Sequence, residues 1–197
     1  MPELLISVSS IKAVEHPTAA AAVFGLRISN APEHEQVQTI ALSCQFHLQA
    51  GRRRYDPAEQ AALEDLFGEP ERWSTTLRPL FWADSFVTVS AFQGVTAAEV
   101  CVPWPVDPNA AATKYFSGIR QGDVPVLLLF SGTVLYTNYG SLQMAPIPRS
   151  LEAACRLSEA VWKGMNRFAN PASGFGSAAP TWQEMLDQVL RAGSKEL

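Results

Sequence analysis

The chain is poor in the residues that most chemistries need. Cys44, Cys101 and Cys155 are its only cysteines, widely spaced and without a C-x-x-C pair, which speaks against a disulfide framework and a structural zinc site. Only three histidines occur. His16 and His34 fall in polar loops. Cys44 and His47, three apart on a strand, point to opposite faces and cannot share a metal without a bulge. Long hydrophobic runs are also missing. Ala19 to Phe24 and Val124 to Phe130 stop far short of the roughly 20 residues needed to cross a bilayer. Met1 to Val8 carries Glu3 and no basic stretch, unlike a signal peptide, so a cytoplasmic protein is expected. Fifteen Lys and Arg against nineteen Asp and Glu leave a net charge of -4, with no general attraction to nucleic acid or anionic lipid.

Two catalytic templates come close and fail. Phe130-Ser131-Gly132-Thr133 follows a hydrophobic strand, but a phosphate loop needs a lysine after its second glycine and a hydrolase elbow needs glycine two residues before the serine, where Leu129 stands. Ser131-Gly132 is therefore expected to be a bulge or kink in a core strand. Asp84, Asp107 and Asp123 lie beside strand ends, where loop aspartates ordinarily cap turns.

What the chain does have is strand patterning. Apolar residues make up 47% and charged residues 17% of 197 residues, enough for one domain with a sizeable core. Leu4, Ile6 and Val8 alternate with smaller or polar neighbours, as do Phe24, Leu26 and Ile28. The clearest period-two stretch puts Ile40, Leu42, Cys44, Phe46 and Leu48 on one face and Ala41, Ser43, Gln45, His47 and Gln49 on the other, as in an antiparallel sheet with one wet face. Phe86 to Phe92 and Ala98 to Val102 read as further strands around a turn at Gln93-Gly94. Val124 to Phe130, continued by Thr133 to Tyr136, is the central strand. Asn138-Tyr139-Gly140 turns the chain into a last strand, Leu142 to Ile147.

Helical signals are few. Asp56-Pro57-Ala58-Glu59 combines an N-cap, a first-position proline and a reciprocal cap, predicting a helix over 57–67 that ends at Gly68. Arg72 to Ala83 reads as a packed connection, and Lys114 to Ile119 as a strand or a turn of helix. From Ser150 the apolar residues fall at helical steps, predicting an amphipathic helix from Ser150 to Arg167. Asn170 to Ala179 reads as a linker, and Thr181 with Glu184 caps a second helix. The expected fold is mainly β, of the α+β class: an antiparallel β-sandwich over 1–149 with one inserted short helix, then a helical extension over 150–197.

Arg52, Arg53 and Arg54 with Tyr55 form the only basic cluster. On extended backbone its three guanidinium groups alternate sides, which suits solvated strand-end charges or a contact with an acidic partner. Trp73, Trp82 and Trp104 sit in connections, where tryptophans either cover a core or anchor a partner. No catalytic, cofactor-binding or metal-binding residue stands out.

A set of short motifs in fixed order resembles a family of uncharacterised bacterial proteins, mainly actinobacterial. The motifs are Cys44-Gln45, Arg53-Arg54-Tyr55, Leu66-Phe67-Gly68, Arg72-Trp73 with Thr76-Leu77, Phe92-x-Gly94, Lys114-Tyr115-Phe116, Pro125 with Leu129-Phe130-Ser131-Gly132-Thr133-Val134, Pro146-Ile147-Pro148, Ala160-Val161-Trp162 and Pro180-Thr181-Trp182. The chain departs from the family at Trp104, where a cysteine is expected, and in a shorter, Gly- and Ser-rich segment before its last helix. The family it resembles has no established activity. The resemblance implies an accessory role, because similar proteins are encoded beside subunits and maturation factors of nickel-iron hydrogenases. A non-enzymatic binding or assembly protein with a protein partner and no cofactor is the leading expectation. An enzyme using loop carboxylates and a β-sandwich that binds a small ligand through its tryptophans are the alternatives.

Overall fold

Alternation of apolar and polar residues is realised, among the described residues, as nine strands in two antiparallel sheets. The computed structural model describes residues 2–16, 19–104 and 110–169. The smaller sheet has the order β1-β2-β6, from Glu3–His16, Ala19–Ala31 and Val95–Pro103. The larger has the order β4-β3-β7-β8, from Leu80–Val89, Gln36–Leu48, Val124–Asn138 and Ser141–Pro146. Two short strands complete it: β5 (Phe92–Gln93) pairs with β3, and β9 (Glu152–Leu157) with β7. The mainly β sandwich expected from the sequence is the observed fold.

The core lies between the sheets. Ile40, Leu42, Cys44, Phe46 and Leu48 are all fully buried, as their alternation predicts. Phe46 meets Phe24 of β2 with ring centroids 4.7 Å apart, joining the two layers. The long strand β7 runs through Ser131 and Gly132 without a slip in its pairing to β3, so the expected bulge is absent. Gly132 nevertheless has φ +136, and a Cβ there would collide with the Ala41 carbonyl oxygen. This is also where β7 changes partner along its other edge, from β9 below to β8 above. The β7–β8 hairpin closes through Tyr139 and Gly140, both at positive φ, as a two-residue primed turn requires.

Three expectations need correction. Ser150 to Arg167 is not one helix, because β9 occupies Glu152–Leu157 and the helix begins only at Glu159. Ala153, Cys155 and Leu157 satisfy a period of two as well as Leu151, Ala154 and Cys155 satisfy helical spacing. The half of β7 at Val124–Leu129 needs partners for its backbone, and β9 supplies them. The strand thus falls within 150–197, where only helix is expected. The predicted helix over 57–67 is two pieces, α1 (Pro57–Ala62) and α2 (Glu64–Phe67), meeting at Leu63. Strand β4 starts at Leu80, inside what reads as a connection, after two turns of helix at Pro70–Arg72 and at α3 (Trp73–Thr76). Lys114 lies in a helix, α4 (Ala111–Gly118), and the final described helix is α5 (Glu159–Ala169), which packs on β1 and β2. The linker at Asn170 to Ala179 and the helix after Thr181 lie outside the described residues. No helix among the described residues is long and apolar enough to cross a membrane.

Candidate functional site

Most of the polar chemistry collects at one end of the larger sheet, around the turn Arg120 to Asp123. Asp56 and Glu59 form the capping box that the sequence predicts: the Glu59 amide donates to Asp56 Oδ1 at 2.8 Å, and the Asp56 amide donates to Glu59 Oε2 at 3.3 Å. Glu59 does more than cap. Its side chain is only 2% exposed, and its Oε1 accepts from Arg53 Nη2 at 2.8 Å and from the Arg120 amide at 2.7 Å. Arg53 Nη2 also donates to the Gln121 carbonyl at 2.8 Å, while its guanidinium lies 4.8 Å from the Tyr55 ring centroid. This ion pair therefore ties the entry of α1 to the turn that starts β7.

The same turn is held from its other side by α5. Trp162 donates its indole N–H to the Gly122 carbonyl at 2.9 Å, the Gly122 amide donates to Glu159 Oε2, and the Glu159 amide donates to Asp123 Oδ1 at 3.2 Å. Lys163 donates to Glu159 Oε1 at 2.6 Å. The Lys163 ammonium and the Gly122 amide hold the Glu159 carboxyl below its ordinary range. That suits a fixed acceptor and not a proton donor at neutral pH.

Between these clamps runs an open groove of about 970 Å³, lined by Arg52, Arg54 and Arg156 with Asp56, Asp123 and Glu159 among others. Arg52 ends a short 3-10 turn at Ala50–Arg52 rather than lying on extended backbone, and all three arginines of the cluster line this groove. Arg53 turns inward to Glu59, whereas Arg52 and Arg54 are exposed. Sequence reasoning missed Arg156, which β9 carries and whose segment reads as helical, and it read Glu59 only as a cap. Tyr55 donates its one hydroxyl proton to the Ala50 carbonyl at 2.8 Å and so accepts from the Tyr115 hydroxyl at 3.0 Å. Burial, reinforced by Tyr115, pushes the Tyr55 phenol up, so it stays protonated.

The three tryptophans do not stand out as anchors. Trp73, Trp82 and Trp104 are all buried and cover the core, one of the two roles their sequence context leaves open. Trp82 packs edge-on with Phe116 of α4 and Trp104 packs tilted against it, with centroids 5.4 Å and 4.6 Å away. Among the described residues their indole N–H groups have no hydrogen-bond acceptor. Trp73 donates to the Gly68 carbonyl at 2.7 Å. Cys44 is buried on the core face and His47 lies on the opposite one, as their spacing requires; among the described residues no group of His, Cys, Asp and Glu is placed to hold a metal. Asp84 is exposed and Asp107 lies outside the described residues.

A second feature is apolar. On the outer face of the larger sheet the β3 residues Ser43, Gln45 and His47 are polar, and their neighbours in register are mixed. Ser43 lies between Phe86 and Ser131, Gln45 between Asp84 and Leu129, and His47 between Phe81 and Leu127. Phe81 and Phe86 are 52% and 64% exposed, and Met144 of β8, opposite Leu135, is 73% exposed. The wet face expected from β3 alone is thus, across the sheet, studded with large apolar side chains. Phe81 is hidden from sequence reading inside the apparent connection, and Leu127 and Leu129 inside an unbroken apolar run.

These features define a two-sheet antiparallel sandwich whose carboxylates brace a turn and whose larger sheet shows an apolar outer face. The chain belongs to a family of unknown function, DUF6084, whose profile matches residues 1–192. Comparison with curated proteins gives no match. Among solved structures, AT1g01470 from Arabidopsis thaliana has 11% identity and a TM-score of 0.42, with 78% of this chain and 80% of that one covered. A Bordetella pertussis protein assigned as ApaA has 12% identity and a TM-score of 0.34, with 80% and 94% covered. Similarities of this size say nothing about activity.

Proposed function

We propose that this chain is a non-catalytic binding or assembly protein of the cytoplasm, and that the outer face of its larger sheet is the surface a partner protein covers. The observation that carries the reading is the exposure of Phe81, Phe86 and Met144 on one sheet face beside Leu127, Leu129 and Leu135. Large exposed apolar side chains gathered on one sheet face, here interspersed with Ser43, Gln45, Asp84 and Ser131, mark a contact site. The carboxylates of the groove favour the same reading, since the hydrogen bonds of Asp56, Glu59, Asp123 and Glu159 are spent on positioning backbone. Three free thiols, two of them pushed up to about 12 by burial, suit a reducing compartment. The family resemblance nominates a nickel-iron hydrogenase subunit or maturation factor as the partner. Co-purification of the tagged chain from its native host tests this. A protein partner is expected with the wild type and is lost with Phe86→Glu. Recovery of the chain alone, or only of further copies of itself, overturns the proposal.

A further inference from the structure

The groove at the end of the sheet is lined by four guanidinium groups and four carboxylates that are unequally partnered. Its acidic side chains already have donors: Asp56 holds the Glu59 amide, Glu59 holds Arg53 and the Arg120 amide, Asp123 holds the Glu159 amide, and Glu159 holds Lys163 and the Gly122 amide. Of its four guanidinium groups only Arg53 is paired. Arg52, Arg54 and Arg156 are exposed, and their guanidinium groups make no hydrogen bond or ion pair among the described residues. Three planar, permanently charged forks therefore line one open groove in which Glu59 and Glu159 are paired with Arg53 and Lys163, while Asp56 and Asp123 hold backbone amides and keep their charge.

We infer that this groove binds an acidic segment of a protein chain, two or three neighbouring Asp or Glu side chains seated on Arg52, Arg54 and Arg156. Carboxylates are the match for guanidinium forks, which take them two hydrogen bonds at a time. The groove is open to solvent rather than closed around a small ion. Charge complementarity selects this occupant over an apolar one. Arg156 lies on β9 opposite Pro125, and Ala154 two residues before it is opposite Leu127 of the apolar face, so one partner can span both. The inference deepens the reading of the sheet face, on which it rests for the kind of partner, and it is tested without that partner.

The experiment titrates the purified chain with fluorescently labelled hexaglutamate, with hexaglutamine as control and inorganic phosphate as competitor. Saturable binding to hexaglutamate alone is expected, weakening steeply as salt rises toward about 0.3 M. Arg54→Gln with Arg156→Gln is expected to weaken it about tenfold or more, while Arg149→Gln, away from the groove, leaves it unchanged. Absence of binding, equal binding of hexaglutamine, or indifference to the double variant overturns the inference. Displacement of the peptide by equimolar phosphate also overturns it, because the groove then takes a free oxyanion. If co-purification still depends on Phe86 while this titration fails, only the acidic-segment assignment falls.

Discussion

Glu59 is the residue whose removal tests the architecture of the groove most severely. Its carboxylate is nearly sealed from water, as is the Arg53 guanidinium, with exposures of 2% and 7%. Replacing Glu59 by Gln keeps the shape and one carbonyl acceptor but removes the charge, leaving Arg53 buried without a counter-ion. Removing one partner of a buried pair costs about 3 to 5 kcal/mol. The Arg120 amide keeps an oxygen to donate to, so its bond weakens but survives, which places Glu59→Gln near the lower end and Glu59→Ala near the upper. The pair itself is worth less than either deletion implies. Arg53→Met combined with Glu59→Leu removes both charges, and the double variant is therefore expected to be more stable than Glu59→Leu alone. Urea unfolding followed by tryptophan fluorescence measures all of these, with Trp162 reporting on the clamped turn through its bond to Gly122. A Glu59→Gln variant within about 0.5 kcal/mol of wild type would refute the claim that this ion pair braces the turn.

Three further outcomes follow from particular contacts. Gly132→Ala forces a side chain against the Ala41 carbonyl at a backbone conformation L-residues avoid, and should cost about 3 kcal/mol or more in the same unfolding assay. Glu159 has a lowered folded pKa, so its contribution is present above the ordinary carboxylate value of 4.5 and is lost as pH falls through the folded value. The melting-temperature gap between wild type and Glu159→Gln should accordingly be open at pH 7 and close in acid, and a gap that widens in acid would contradict the assignment. Aromatic disulfide reagents at neutral pH should label exposed Cys101 and spare Cys44, which is buried and pushed up to about 12, until the chain is denatured.

Sequence reading reached the fold where local pattern and tertiary need agree. In β3 a strict alternation coincides with burial on one side, and at Asp56 to Glu59 a cap motif coincides with a helix start. It failed where small residues satisfy two periods. Ala153, Ala154 and Cys155 suit a helix and a strand equally well, and only the unpaired edge of β7, distant in sequence, decides between them. That error also hid Arg156, and with it the third guanidinium of the groove. Arg53 and Glu59 were both visible, six residues apart, but the turn at Arg120 that makes them a site lies about sixty residues further on. The apolar sheet face was illegible for a related reason. Phe86, Ser43 and Ser131 form one row of that face, and each looks unremarkable in its own stretch of chain.

The central claim, that the outer face of the larger sheet is a partner surface, is tested most directly by a binding isotherm between the purified chain and the protein it co-purifies with. Phe86 and Met144 are exposed, so Phe86→Glu with Met144→Glu should leave the melting temperature near that of wild type while weakening binding by about a hundredfold. Arg149→Glu, an exposed change off that face, should bind as wild type does. An unchanged isotherm for the Phe86 and Met144 variant, with its fold intact, would contradict the account.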